Sequence, residues 1–197
     1  IDNGIQTLYE DNSGVLWFGS YRKGVAKLDP RSMAFKHFRH NPVDKNSLRH
    51  NEVNAILKDN KGRLWVGSVE GGLSRYAANG NVRHYYPDNT RDNALHDDFI
   101  YALTQDHKSQ IWVGGFSNGL ARYNPDIDGF ERIAVTELEP KLPRFHAVTA
   151  LLADSKSRLW VGTGGGLGMI DLTSNKMTKY TPEQSHDALS GEWVNAL

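Results

Sequence analysis

Apolar and polar residues alternate in short segments along the whole chain, and the alternation never settles into a sustained helical period. Four such segments, Ile5 to Glu10, Val53 to Lys58, Ile100 to Gln105 and Val148 to Ala153, each run into an aspartate: Asp11, Asp59, Asp106 and Asp154. A short polar turn follows each. Then comes a compact run built on tryptophan and glycine: Leu16-Trp17-Phe18-Gly19-Ser20, Leu64-Trp65-Val66-Gly67-Ser68, Ile111-Trp112-Val113-Gly114-Gly115 and Leu159-Trp160-Val161-Gly162-Thr163. A second loop leads to Gly-Val or Gly-Leu at 24–25, 72–73, 119–120 and 166–167, which opens a third run. A fourth carries aromatics, among them Phe35, Phe38, Tyr85, Tyr86, Phe130 and Tyr180. Short runs rich in β-branched and aromatic residues, bounded by Gly, Asn, Asp and Ser, predict strands.

The same order of parts recurs along the chain. The repeated tryptophans stand at 17, 65, 112 and 160, spaced 48, 47 and 48 residues apart. Four strands in a repeat of this length predict the blade of a β-propeller, so the fold class is all-β. A single blade cannot bury both faces of its sheet, and neighbours must stack on it. The tryptophan is expected to fill the space between blades. The glycine two residues later is expected to allow close backbone approach. Small residues at Thr7, Ala55, Ala102, Ala150 and Ala196 suit innermost strands crowded near an axis. The predicted blades run about 5–51, 52–98, 99–146 and 147–193. Val194-Asn195-Ala196-Leu197 matches Val53-Asn54-Ala55-Ile56 and opens a fifth copy. A start at Ile1 and an end on an opening strand are read as an excerpt of a larger propeller.

Composition narrows the chemistry. Lys plus Arg and Asp plus Glu both number 23, so the formal net charge is zero. That argues against a nucleic-acid footprint or a polybasic membrane anchor. There is no cysteine, which excludes a disulfide framework and thiolate metal ligation. No apolar run approaches the ~20 residues of a membrane span, so membrane attachment is expected only through segments outside this chain.

The run Asn60-Lys61-Gly62-Arg63-Leu64-Trp65-Val66-Gly67-Ser68 with Gly71-Gly72-Leu73-Ser74-Arg75-Tyr76 resembles the two-component regulator propeller repeat. So does the spacer His40-Asn41-Pro42-Val43-Asp44-Lys45-Asn46-Ser47-Leu48 ahead of Asn51-Glu52-Val53, with weaker copies at 92–95 and 186–190. The resemblance implies an extracytoplasmic, periplasmic ligand-sensing module of a bacterial membrane-bound receptor. It implies a homodimeric parent, a histidine kinase or diguanylate cyclase output beyond this chain, and a soluble ligand, with oligosaccharides as one expected class. The chain carries only about four repeats and no output domain. It is itself expected to be non-catalytic and to need no cofactor.

Candidate binding residues come from two loop types expected on one face of a propeller, where loops carry function. Loops between second and third strands supply Tyr21, Arg22, Lys23, Val69, Glu70, Phe116, Ser117, Asn118, Gly164 and Gly165. Connections between blades supply His50, Asn51, Asp97, Asp98, Arg144, His146, Glu192 and Trp193. From these, Tyr21, Arg22, Glu70, Phe116, Asn118, Arg144, His146, Glu192 and Trp193 form the candidate ligand set. Trp193 is the tryptophan outside the repeat register; it could stack on a sugar ring or pack between blades. The aspartates at 11, 59, 106 and 154 recur once per blade, which favours turn structure over catalysis. Gly162 to Gly168 is glycine-rich but lacks the Lys-Ser/Thr and helix of a phosphate loop. Two other functions compete. Some lyases of the streptogramin-lyase type use a histidine and a metal on such a scaffold, for which His50, His96 and His146 are the available residues. A WD-like interaction scaffold is the third, but the Gly-His and Trp-Asp markers are missing.

Overall fold

The computed structural model describes residues 4–133, 147–182, 189, 191 and 193–197. Among them are sixteen strands and no helix. The first blade comprises β1 (Ile5–Glu10), β2 (Leu16–Ser20), β3 (Val25–Asp29) and β4 (Ala34–Phe38). The second comprises β5 (Val53–Lys58), β6 (Leu64–Ser68), β7 (Gly72–Tyr76) and β8 (Val82–Tyr85). The third comprises β9 (Ile100–Gln105), β10 (Ile111–Gly115), β11 (Leu120–Asn124) and β12 (Gly129–Ile133). The fourth comprises β13 (Val148–Ala153), β14 (Arg158–Thr163), β15 (Gly166–Asp171) and β16 (Lys176–Tyr180). Each blade is a separate antiparallel meander in sequence order, the arrangement of propeller blades.

Within each blade the first strand bulges as it meets the tryptophan strand. Pairing slips between Ile5 and Thr7, between Val53 and Ala55, between Val148 and Ala150, and opposite Gly114 and Gly115. The predicted small residue is the one facing the repeat glycine: Thr7 opposite Gly19, Ala55 opposite Gly67, Ala102 opposite Gly114, Ala150 opposite Gly162. That glycine is where blades approach most closely. A Cβ on Gly67 would lie 2.5 Å from Ile100 Cγ2, and one on Gly114 2.5 Å from Val148 Cγ1. Gly19 meets Val53 and Gly162 meets Val194 in the same way. Val194 therefore takes the station of Val53, Ile100 and Val148, its N–H bonding Thr163 O at 3.1 Å. Residues 194–197 do not pair into a strand.

Three interblade cores follow from this stacking. Trp17 packs with Val53, Ile56 and Val66 of the second blade. Trp65, 0% exposed, packs with Ile100, Ile111 and Tyr123 of the third. Trp112 packs with Val148, Leu159 and Ile170 of the fourth. A fully buried tryptophan removes some 200 Å² from water, about 5 kcal/mol as an upper estimate. The spacers add a plug: Leu48 and Leu95 are buried against Gly24 and Gly72. His40 folds the first spacer on itself, its Nδ1 2.7 Å from Leu48 O. His84 ties that spacer to the second blade. Its Nε2 lies 2.9 Å from Lys45 O and its Nδ1 2.8 Å from Ser74 Oγ.

The recurrent aspartates are structural, as their repetition suggested, and they do more than close a turn. One oxygen of Asp59 accepts the N–H groups of Lys61 and Arg63 at 3.0 and 2.9 Å; the other accepts the Trp65 indole N–H at 2.8 Å. The indole bond recurs at Asp11–Trp17, Asp106–Trp112 and Asp154–Trp160, at 3.0, 2.9 and 3.0 Å. Each turn thereby fixes its own interblade tryptophan.

Candidate functional site

The innermost strands β1, β5, β9 and β13 stand side by side and enclose a groove of about 760 Å³ on the axial side. The second position of each first strand faces it: Gln6, Asn54, Tyr101 and Thr149, with Asn195 in the same station after Val194. This column is polar or hydrogen-bonding in every copy because the pleat turns it away from the sheet-to-sheet cores. The position before it, Val53, Ile100 or Val148, is buried. Thr149 Oγ1 donates to Val194 O at 2.6 Å and is engaged by the wall.

Two of the sequence-derived candidates reach this groove. Phe116, 42% exposed, stands over Tyr101 with ring centroids 5.5 Å apart and planes tilted by 34°. Trp193, 53% exposed, lines the same groove. Tyr101, Phe116 and Trp193 thus add aromatic faces to a groove that also carries amide and hydroxyl groups. Burial first, then the Glu52 and Asp97 carboxylates, push the Tyr101 hydroxyl above its ordinary range, so it stays a neutral donor. Tyr101 was not among the sequence-derived candidates. The available signal was the column Gln6, Asn54, Tyr101, Thr149 and Asn195, which varies while its neighbours repeat.

Asp97 explains why Phe116 stands where it does. Its carboxylate is buried. One oxygen accepts the N–H of Phe99 at 3.0 Å; the other accepts those of Ser117 and Asn118 at 2.5 and 2.8 Å. The Asn118 amide in turn donates to His96 O at 2.6 Å. Candidate Asn118 therefore braces the loop that presents Phe116. Candidates Tyr21, Arg22 and Glu70 are exposed and stand outside the groove lining. The Arg22 guanidinium sits 5.0 Å above the Tyr21 ring, and Glu70 has φ +56° in its turn. Candidates Arg144, His146 and Glu192 lie outside the described residues. Of the histidines, His50 Nδ1 accepts the Glu52 N–H at 3.3 Å. Among the described residues no three His, Asp or Glu side chains converge as a metal site would require.

Residues 1–22 and 47–70 match the family model described as two component regulator propeller. Curated protein sequences give no match. Among solved structures, the chain superposes on the extracellular domain of a protein described as the hybrid two component system BT4673 of B. thetaiotaomicron. The TM-score is 0.76 at 19% identity, over 100% of this chain and 25% of that one. It also superposes on the corresponding domain of BT3049 from the same organism, with TM-score 0.74 and 18% identity over 98% of this chain and 30% of that one. A structure described as a gluconolactonase aligns with TM-score 0.67 and 13% identity, over 96% of this chain and 65% of that one. At these identities the likeness is one of fold. The chain spans about a quarter to a third of the two sensor-domain structures.

Proposed function

We propose that this chain, whose repeats are two-component regulator propeller repeats, is part of an extracytoplasmic sensor propeller and binds a soluble ligand at the axial groove. The repeat match and the shared fold with extracellular domains of hybrid two component systems support the sensor role. The observation that carries the binding site is the pair of exposed aromatics Phe116 and Trp193, with the half-buried Tyr101, around a groove edged by Asn54 and Asn195. Aromatic faces interleaved with amides suit a ring that is apolar on its faces and hydroxylated at its rim, so the ligand class is an oligosaccharide. Occupancy would be read by a transmembrane output outside this chain, in a homodimeric parent.

Isothermal titration and thermal-shift screening against neutral and acidic oligosaccharides test this proposal. A micromolar ligand at millimolar concentration should add about 4 kcal/mol to stability. Phe116→Ala and Trp193→Ala should abolish that gain and leave the unliganded melt nearly unchanged, because both rings are exposed. Binding that survives both substitutions would place the ligand elsewhere.

A further inference from the structure

The repeat allows one interblade cleft to be compared with the next inside the same molecule. In the first three blades the third-strand residue paired opposite the tryptophan is a cation lying over that tryptophan. Lys27 Nζ is 5.5 Å from the Trp17 ring; the Arg75 and Arg122 guanidiniums are 5.6 and 5.8 Å from Trp65 and Trp112. Two of these cations are neutralised internally. Arg122 pairs with Glu131 across the β11–β12 ladder at 2.6 Å. Arg75 pairs at 2.9 Å with Asp128, which sits in the turn between the third and fourth strands of the following blade. That carboxylate is a hub: the same oxygen also accepts the Tyr85 and Tyr123 hydroxyls at 2.6 and 2.7 Å.

Lys27 has neither partner. Across the β3–β4 ladder, the station of Glu131 is occupied by Lys36. In the following blade's turn, the station of Asp128 is occupied by Gly80. Both precede the residue that closes the turn, Gly129 opposite Asn124 and Asn81 bonded to Ala77, and both have positive φ, +45° and +85°. A Cβ on Gly80 would meet nothing within 4 Å. Asp29, two residues from Lys27, is taken by Arg31 at 3.0 Å. The station of Tyr123 is held by Tyr76, whose hydroxyl is shielded from solvent and has no hydrogen-bond partner. The adjacent Ser74 Oγ is engaged by His84. Burial, and then the Asp44 carboxylate, push the Tyr76 hydroxyl far above its ordinary range, so it remains a donor.

Where the next cleft is filled by a carboxylate, this one is a cavity of about 330 Å³ between the first two blades. Trp17, Phe38 and Leu48 give it apolar walls and Lys27 gives it a cation; Tyr76 lines it as well, with its hydroxyl closed off from solvent. Lys58 also lines it, but its ammonium is held by Asp11 at 2.8 Å. No acidic residue lines it. We infer that this cleft is a second ligand site, separate from the axial groove, for a small carboxylate with a flat apolar body. The carboxylate would take the place that Asp128 holds in the neighbouring cleft, on Lys27, with the body against the apolar wall that the stacked Trp17 and Phe38 form with Leu48.

Benzoate, phenylacetate and indole-3-acetate, each beside its neutral amide, are the probes. Titration calorimetry gives affinity. The indole N–H resonance of Trp17, one of five tryptophans, reports location by NMR. Expected is binding of at least one acid, with its amide about tenfold weaker or more and the largest shift at Trp17. Lys27→Met should cost a similar factor. Gly80→Asp should supply the missing carboxylate, block the acids and raise the melting temperature. The site is refuted if no acid binds at millimolar concentration, if acid and amide bind equally, or if sulfate competes as well as the acids do. It is equally refuted if Lys27→Met leaves affinity unchanged, a result that stands whether or not Gly80→Asp folds.

Discussion

Replacing Asp59 by asparagine tests the idea that each turn aspartate clamps its own interblade tryptophan. The substitution keeps shape and one acceptor oxygen, which can still take the N–H groups of Lys61 and Arg63. It turns the other oxygen into an NH2 group facing the Trp65 indole N–H, where the acceptor now stands at 2.8 Å. Two donors then oppose each other at a side chain that is 0% exposed, and the Arg63 guanidinium loses its carboxylate at 2.6 Å. An orphaned buried donor costs about 1–3 kcal/mol, and a hydrogen bond to a charged group about 1.5–3. Because the two losses overlap at one oxygen, the expected cost is about 3 kcal/mol. For a chain of this size that lowers the melting temperature by about 6–12 °C. Asp154 offers an internal control. It makes the same indole bond at 3.0 Å, but its side chain is 17% exposed and Trp160 is only partly buried. Water can satisfy the orphaned donor there, so Asp154→Asn should cost clearly less. Paired denaturant melts measure both. Equal losses would show that the indole bond is incidental, and an Asp59→Asn loss below about 0.5 kcal/mol would refute the clamp.

Acid should expose the same device at the first blade. Burial would raise the Asp11 carboxyl, but hydrogen bonds from Lys58, Ser13 and Trp17 outweigh it and hold Asp11 well below the usual carboxylate range. Its stabilisation is therefore complete above the unfolded value of about 3.9 and fades as pH falls through the lower folded value. Asp11→Asn should flatten the acid limb of a stability-against-pH curve measured by urea melts, and an unchanged limb would contradict the assignment. Gly67→Ala should destabilise by about 1–3 kcal/mol, since its Cβ would meet Ile100 at 2.5 Å. Gly62→Ala adds a Cβ in open space and should cost only the strain of φ +74°, so a chemical melt in which it costs more than Gly67→Ala would reverse the packing assignment.

Most of the fold could be read from the sequence because a repeat samples the same physics four times. A single Trp-x-Gly run is weak, but four in register make the residue between blades and the point of closest approach recognisable. The turn aspartates were recognisable as structural for the same reason. Their indole bond was not, because it needs the turn and the following strand folded together. The axial site was legible only in part. Phe116 and Trp193 stood out as aromatics at loop positions. Tyr101 lay inside a strand and counted there as an ordinary β-forming residue. Asn118 drew notice as a polar loop residue, yet its partner is the carbonyl of His96, 22 positions earlier in the chain. Pairings across loops of that length leave no local pattern. The empty carboxylate station was present in the letters as Gly80 against Asp128. It acquires meaning only once Arg75, Tyr85 and Tyr123 are seen to converge on Asp128.

The two proposed sites differ in how the repeat frees a position to vary. At the axis, the frame fixes alternate residues of each first strand: Val53, Ile100 and Val148 pack against the preceding blade's glycine, and Ala55, Ala102 and Ala150 face their own. The residue between them is unconstrained by packing, so Asn54, Tyr101 and Thr149 can differ without cost to the blades. Between blades the constraint is electrostatic. A cation over a tryptophan is half-desolvated and is stabilised by a nearby anion, but the frame does not dictate which residue supplies it. The third blade answers with Glu131 on its own ladder and the second with Asp128 from its neighbour. The first leaves Lys27 to solvent or to a ligand. A propeller can thus gain a site at an interblade cleft by losing one carboxylate. The substitution that restores it, Gly80→Asp, should raise stability while removing binding.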